Sequence, residues 1–117
     1  MSFNGSIIFL GASDLERTDN FYREILGFEL YKDQGLCRIY QVPGGGMIGF
    51  CTHQEVFSRG ESPIITFLTS DVDGWYKKLI QEGFKMKNKP KTNPRFNIYH
   101  FFLSDPDGYT VEIQRFL

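Results

Sequence analysis

Apolar and polar positions follow the same order twice along the chain. Ser6 to Ala12 is an apolar run with polar flanks and predicts a buried strand. Ser13 stands three residues before Glu16, the spacing of a capping box that opens a helix. Leu15, Thr18, Tyr22, Ile25 and Leu26 continue at three- and four-residue intervals, and Gly27 is placed to close the helix. Phe28 to Tyr31, Leu36 to Val42 and Met47 to Thr52 then predict three strands, with Pro43-Gly44-Gly45-Gly46 as the turn between the last two. Ile64 to Thr69 begins the order again. Ser70 with Asp73 marks a second helix start, and Val72, Trp75, Tyr76, Leu79 and Ile80 form its apolar stripe as far as Gly83. Phe84 to Lys87, Asn97 to Ser104 and Tyr109 to Phe116 supply three more strands.

The pairs Ile7/Ile64, Ile8/Ile65, Ser13/Ser70 and Asp14/Asp71 recur at one constant offset, which identifies an internal repeat. The fold class expected is α+β, built from two tandem βαβββ modules at about 4–53 and 62–117. Residues 53–62 form the linker, and 117 residues make a single domain.

Composition narrows the function classes. Thirteen Lys and Arg against 14 Asp and Glu give a net charge of -1, which argues against a nucleic-acid partner. No stretch approaches the ~20 apolar residues of a membrane helix, and Ile7 to Leu10 is too short for a signal-peptide core. Aromatic residues are 16% of the chain, enough for a core and a pocket besides. Two cysteines make no disulfide framework, so a reducing, cytoplasmic setting is expected. Cys37 and Cys51 lie on strands joined by the glycine turn, and one register opposes them. They read as two buried thiols acting as small hydrophobes.

The chain's end carries the sharpest local signal. Pro106-Asp107-Gly108 suits a three-residue hairpin loop with Gly108 left-handed. Such a loop sets Asp105 opposite Tyr109, Leu103 opposite Val111 and Phe101 opposite Ile113. That face is apolar and packs under the helices. The other face carries His100, Phe102, Thr110, Glu112 and Gln114, which makes it either a wet sheet face or the lining of a site.

The ending Asp105-Pro106-Asp107-Gly108-Tyr109-Thr110-Val111-Glu112, with Asp14-Leu15-Glu16-Arg17 before Phe21-Tyr22 and Leu26-Gly27-Phe28, resembles the vicinal oxygen chelate superfamily. This superfamily includes glyoxalase I, extradiol dioxygenases, fosfomycin resistance enzymes and bleomycin-binding proteins. The resemblance implies a curved, cup-shaped mixed sheet with Glu112 pointing into the cup. It also implies a homodimer, which would cover open sheet edges.

Enzymes of the family usually hold a divalent ion through His, Gln or Glu on the first and last strands of the modules. Here the first-strand positions are Ile7 and Ile64, and Met47 to Thr52 contains no carboxylate or imidazole. Only Glu112 remains, so no metal or other cofactor is expected. His53 lies in the linker and reads as a surface residue, and His100 reads as a hydrogen-bonding or acid–base group.

Lys85, Lys87, Lys89, Lys91 and Arg95 form either a solvated edge or an anion-attracting rim. The first function expected is therefore a metal-free protein that encloses an apolar or aromatic small molecule. Ile7, Phe9, Ile64, Thr66, Phe102, Thr110 and Gln114 would line the site, and Glu112 and His100 would be its functional pair. The alternative is a glyoxalase-like lyase or isomerase, or a fosfomycin-resistance-like transferase, acting on a small electrophile.

Overall fold

The computed structural model describes every residue except Lys87. The chain divides into two compact units, Met1–Phe57 and Ser58–Leu117.

The first unit runs β1 (Ile7–Gly11), α1 (Leu15–Asp19), a wider π-type segment (Asn20–Ile25), β2 (Glu29–Asp33), β3 (Cys37–Gln41) and β4 (Met47–Cys51). Its sheet has the order β1-β4-β3-β2, with β1 parallel to β4 and the other neighbours antiparallel. The second unit runs β5 (Ile64–Leu68), α2 (Val72–Gln81), β6 (Lys91–Asn93), β7 (Ile98–Ser104) and β8 (Thr110–Phe116). Its order, β5-β8-β7-β6, repeats that of the first sheet, again with only the first and last strands parallel. The α+β class and the two βαβββ modules are thus as the pattern predicts.

Local chemistry differs from expectation at several points. The helices are capped one residue later than the Ser13 and Ser70 spacing suggests. Asp14, in extended backbone, accepts from the amides of Glu16 and Arg17, and Asp71 accepts from that of Gly74. A carboxylate complements the positive end of a helix better than a hydroxyl does. Ser13 accepts from the Arg17 guanidinium instead. The first helix then widens, with the Leu26 amide donating to the Phe21 carbonyl and that of Phe28 to Tyr22.

No strand forms over residues 84–86, and Lys87 lies outside the described residues. The module's second strand is instead β6, at the sheet edge beside β7, where Lys91 pairs with His100 and Asn93 with Ile98. The expectation of two separate thiols is corrected as well. Cys37 pairs directly with Cys51 in the β3–β4 register, and the two are joined as a disulfide. Direct cross-strand neighbours bring side chains within bonding reach. The cysteines therefore no longer point to a reducing compartment.

Each sheet turns one apolar face to its helix. In the first unit Tyr22 stacks on Phe50 with ring centroids 4.6 Å apart, and Phe21 meets Tyr22 edge-on at 4.8 Å. In the second, Tyr76 of α2 meets Phe101 edge-on at 5.4 Å. The Phe101–Ile113 and Leu103–Val111 pairs stand as expected. Buried Asp105 builds the hairpin that sets this register. Its carboxylate accepts from the amides of Asp107 and Tyr109, and Gly108 takes φ 88°.

Asp19 anchors the polar seam of the first unit. It accepts from Arg23 at 2.8 Å and from the buried Tyr40 hydroxyl at 2.8 Å. Burial alone would raise its pKa, but the hydrogen bonds from Arg23 and Tyr40 prevail and hold it below the ordinary carboxylate range. Burial, then the Asp19 bond, pushes Tyr40 well above the ordinary phenol range. Asp19→Asn is expected to destabilise the protein by about 2–3 kcal/mol near neutral pH, since charged hydrogen bonds are lost from a buried site. A depressed carboxyl stabilises above its unfolded pKa and loses that contribution as pH falls through its folded value. The gap between variant and wild type in urea denaturation should therefore hold from pH 7 to about pH 5 and narrow below about pH 4.

Candidate functional site

Strand β8 lies between β5 and β7, so its side chains meet partners from both neighbours. Thr66 of β5 and Phe102 of β7 are both paired with Glu112. His100 is paired with Gln114, one diagonal step from Glu112. Directly paired side chains share a face of the sheet. The hairpin register thus brings Ile64, Thr66, His100, Phe102, Thr110, Glu112 and Gln114 onto one face of the second sheet.

Glu112 is the hub of this face. Its Oε1 accepts from the Thr66 hydroxyl at 2.7 Å, and its Oε2 lies 2.6 Å from His100 Nδ1. With the Gln114 amide oriented to donate, its nitrogen lies 3.1 and 3.2 Å from the two carboxylate oxygens. A carboxylate offers only acceptors, so three donors from three strands make a consistent shell. In that network His100 carries a proton on Nδ1. Glu112 is 8% exposed and His100 4%. The His100 ring also meets Phe102 edge-on at 5.0 Å. His100 Nε2 is buried and has no hydrogen-bond partner among the described residues.

A hollow of about 540 Å³ opens at this face, lined by Ile64, His100, Phe102, Glu112 and Gln114 among others. Ile98 and Phe116 complete its apolar wall, and Asn93 and Glu61 add polar groups. An adjoining hollow of about 480 Å³ shares His100 and Phe102 and is lined by Thr110, Lys85, Lys89 and Lys91. Three of the lysines singled out in the sequence therefore border the site. Arg95 instead packs over the ring of Phe96.

Ile7 and Phe9 belong to β1 of the first unit, paired with Met47 and Gly49. Phe9 covers Gly49, where a Cβ would lie 2.5 Å from its ring. Of the lining residues that sequence reasoning missed, Phe116 continues the Glu112–Gln114 alternation and was within reach of the pattern. Ile98 faces Phe116 across the ladder. Phe96 and Glu61 lie outside the strands, where no alternation marks them.

The resemblance implies His, Gln or Glu ligands for a divalent ion on the first and last strands, and the donors present differ from that set. Ile7 and Ile64 offer no ligand, and β4 presents Met47-Ile48-Gly49-Phe50-Cys51, without a carboxylate or imidazole. Both oxygens of Glu112 already serve Thr66, His100 and Gln114. These residues do not fit a metal at the family position.

Among solved structures, an integron cassette protein from the mobile metagenome of the Halifax Harbour sewage outfall is 22% identical over 96% of this chain and 97% of its own, with a TM-score of 0.80. A glyoxalase/bleomycin resistance protein/dioxygenase superfamily member from Sphaerobacter thermophilus is 22% identical over 98% of each chain, with a TM-score of 0.79. TioX from Micromonospora sp. ML1 is 18% identical over 98% of this chain and 100% of its own, with a TM-score of 0.77. These likenesses show a shared fold. No curated protein matches the chain. No helix among the described residues is long and apolar enough to cross a membrane.

Glu112→Gln turns one acceptor into a donor facing donors. It is expected to lower stability by about 1–2 kcal/mol in urea denaturation, and Glu112→Ala by more, since the buried His100 Nδ1 then loses its partner. Residues 6–113 match the Glyoxalase/Bleomycin resistance protein/Dioxygenase superfamily, and the chain belongs to it.

Proposed function

We propose that the protein binds a small, largely apolar or aromatic molecule on the Glu112-bearing face of its second sheet, and that it does so without a metal at Glu112. The observation that carries this reading is His100 Nε2, a buried nitrogen without a hydrogen-bond partner among the described residues, beside a partly apolar hollow. Leaving such an atom unsatisfied costs about 1–3 kcal/mol, a cost that a polar group on a ligand removes. Ile64, Ile98, Phe102 and Phe116 would supply the apolar grip, and Glu112 would hold the imidazole in place through Nδ1. Lys85, Lys89 and Lys91 favour ligands with an anionic end.

The same pair supports a second reading, a lyase, isomerase or transferase acting on a small electrophile. In it His100 would exchange a proton at Nε2 while Glu112 stabilises the ring. The binding reading stands first because the donor set offers no Lewis acid to stabilise an enolate.

The cytoplasmic setting and the homodimer belong to this proposal, with no nucleic acid or membrane as partner. Ile8 and Phe9 on the edge strand β1, and Ile64 and Leu68 on the edge strand β5, are exposed. Pairing of two chains would cover such edges.

Anilinonaphthalene sulfonate, an aromatic anion, is expected to bind with enhanced fluorescence. Phe102→Ala should weaken it by about tenfold, the scale of one buried aromatic contact. Equal affinity in wild type and Phe102→Ala would contradict the reading, as would metal-dependent turnover of a hemithioacetal that is lost in Glu112→Gln. Light scattering at micromolar concentration is expected to give twice the 13.6 kDa chain mass, and a monomer mass would contradict the dimer.

A further inference from the structure

The first unit contains a group of reactive side chains that the binding site does not use. Cys37 on β3 and Cys51 on β4 face each other with Cα atoms 4.1 Å apart. His53, in the turn that follows β4, sets its Nδ1 3.8 Å from the Cys37 sulfur. The two sulfurs and one imidazole nitrogen all lie within 4.8 Å of one another. Both cysteines are buried, and His53 is exposed at the rim.

Backbone contacts hold this cluster together. The Thr52 amide donates to the Leu36 carbonyl at 2.9 Å, and the Ala12 amide donates to the Cys51 carbonyl at 3.0 Å. The chain beyond His53 runs so close to β1 that a Cβ on Gly11 would lie 2.0 Å from the Glu55 carbonyl oxygen. The turn bearing His53 is thus pinned on both sides.

We propose that Cys37, Cys51 and His53 form a binding site for a thiophilic divalent cation of the zinc class when reduced, and that disulfide formation closes it. Two thiolates and one imidazole leave the fourth tetrahedral position to water, a recognised donor set for zinc. Zinc–sulfur bonds of about 2.3 Å place two bound sulfurs about 3.8 Å apart. With Cα atoms 4.1 Å apart, the proposed site requires only side-chain rotation of the two facing cysteines to reach that separation. Opening the site requires a dithiol, which supplies two electrons and two protons. The Cys37–Cys51 bond breaks, two thiols form, and the dithiol becomes a disulfide. The cation then displaces both thiol protons as two metal–sulfur bonds and one metal–nitrogen bond form. Oxidation by a diazene such as diamide takes two electrons from the two metal-bound sulfurs; the diazene gains two protons from water and becomes a hydrazine, the Cys37–Cys51 bond re-forms and the cation is released.

The test uses the full chain, reduced with dithiothreitol, desalted without air and dialysed against Zn²⁺ alone. The expected result is one Zn²⁺ per chain, lost on oxidation with diamide and in Cys51→Ala. His53→Ala, at an exposed position, should weaken binding by about tenfold or more, the scale seen even for outer-shell partners of a metal. Loading reduced wild type with Co²⁺ should give a thiolate-to-metal charge-transfer band, which decides the matter should Cys51→Ala fail to fold. The proposal is overturned if the reduced chain takes up no Zn²⁺, if uptake survives oxidation or Cys51→Ala, or if the cobalt band is missing.

Discussion

The parallel pairing of the first and last strands of each module governs the rest of the structure. A hairpin chain would leave the last strand at an edge. Crossing over through the helix brings it between the first strand and the third, so β8 has β5 on one side and β7 on the other. Only in that position does Glu112 face Thr66 and His100 together. A buried carboxylate is costly unless hydrogen-bonded, and here the topology supplies its donors. The same crossover in the first unit places β4 between β1 and β3, where Cys51 meets Cys37.

The two units use this frame for different chemistry. The first fills its helix-facing side with stacked rings and ties its helix to the sheet through Asp19, Arg23 and Tyr40. The second puts its polar groups on the face away from the helix, around Glu112. Ile7 and Ile64 offer no metal ligand, and the Glu112 carboxylate is hydrogen-bonded to the His100 imidazole.

Much of this was legible in the sequence. The repeat, the helix stripes and the DPDG hairpin follow from spacing and turn chemistry, and they were enough to place His100 beside Glu112. Three features were not legible, for separate physical reasons. Capping fell to Asp14 and Asp71 because neighbouring residues competed for one role, and spacing alone does not rank a carboxylate above a hydroxyl. The strand β6 was misplaced because Lys91-Thr92-Asn93 carries no apolar alternation and is strand only through pairing with β7. The disulfide depended on a register that a glycine turn leaves open by one residue.

The proposed binding requires that a hydrogen-bonding group of the ligand meets His100 Nε2. Imidazole nitrogen resonances offer the most direct test, because His53 and His100 are the chain's two histidines and the first is an internal control. On titration with anilinonaphthalene sulfonate, the His100 Nε2 resonance should move with saturation while those of His53 stay in place. Saturable binding that leaves both His100 nitrogens unmoved would contradict it.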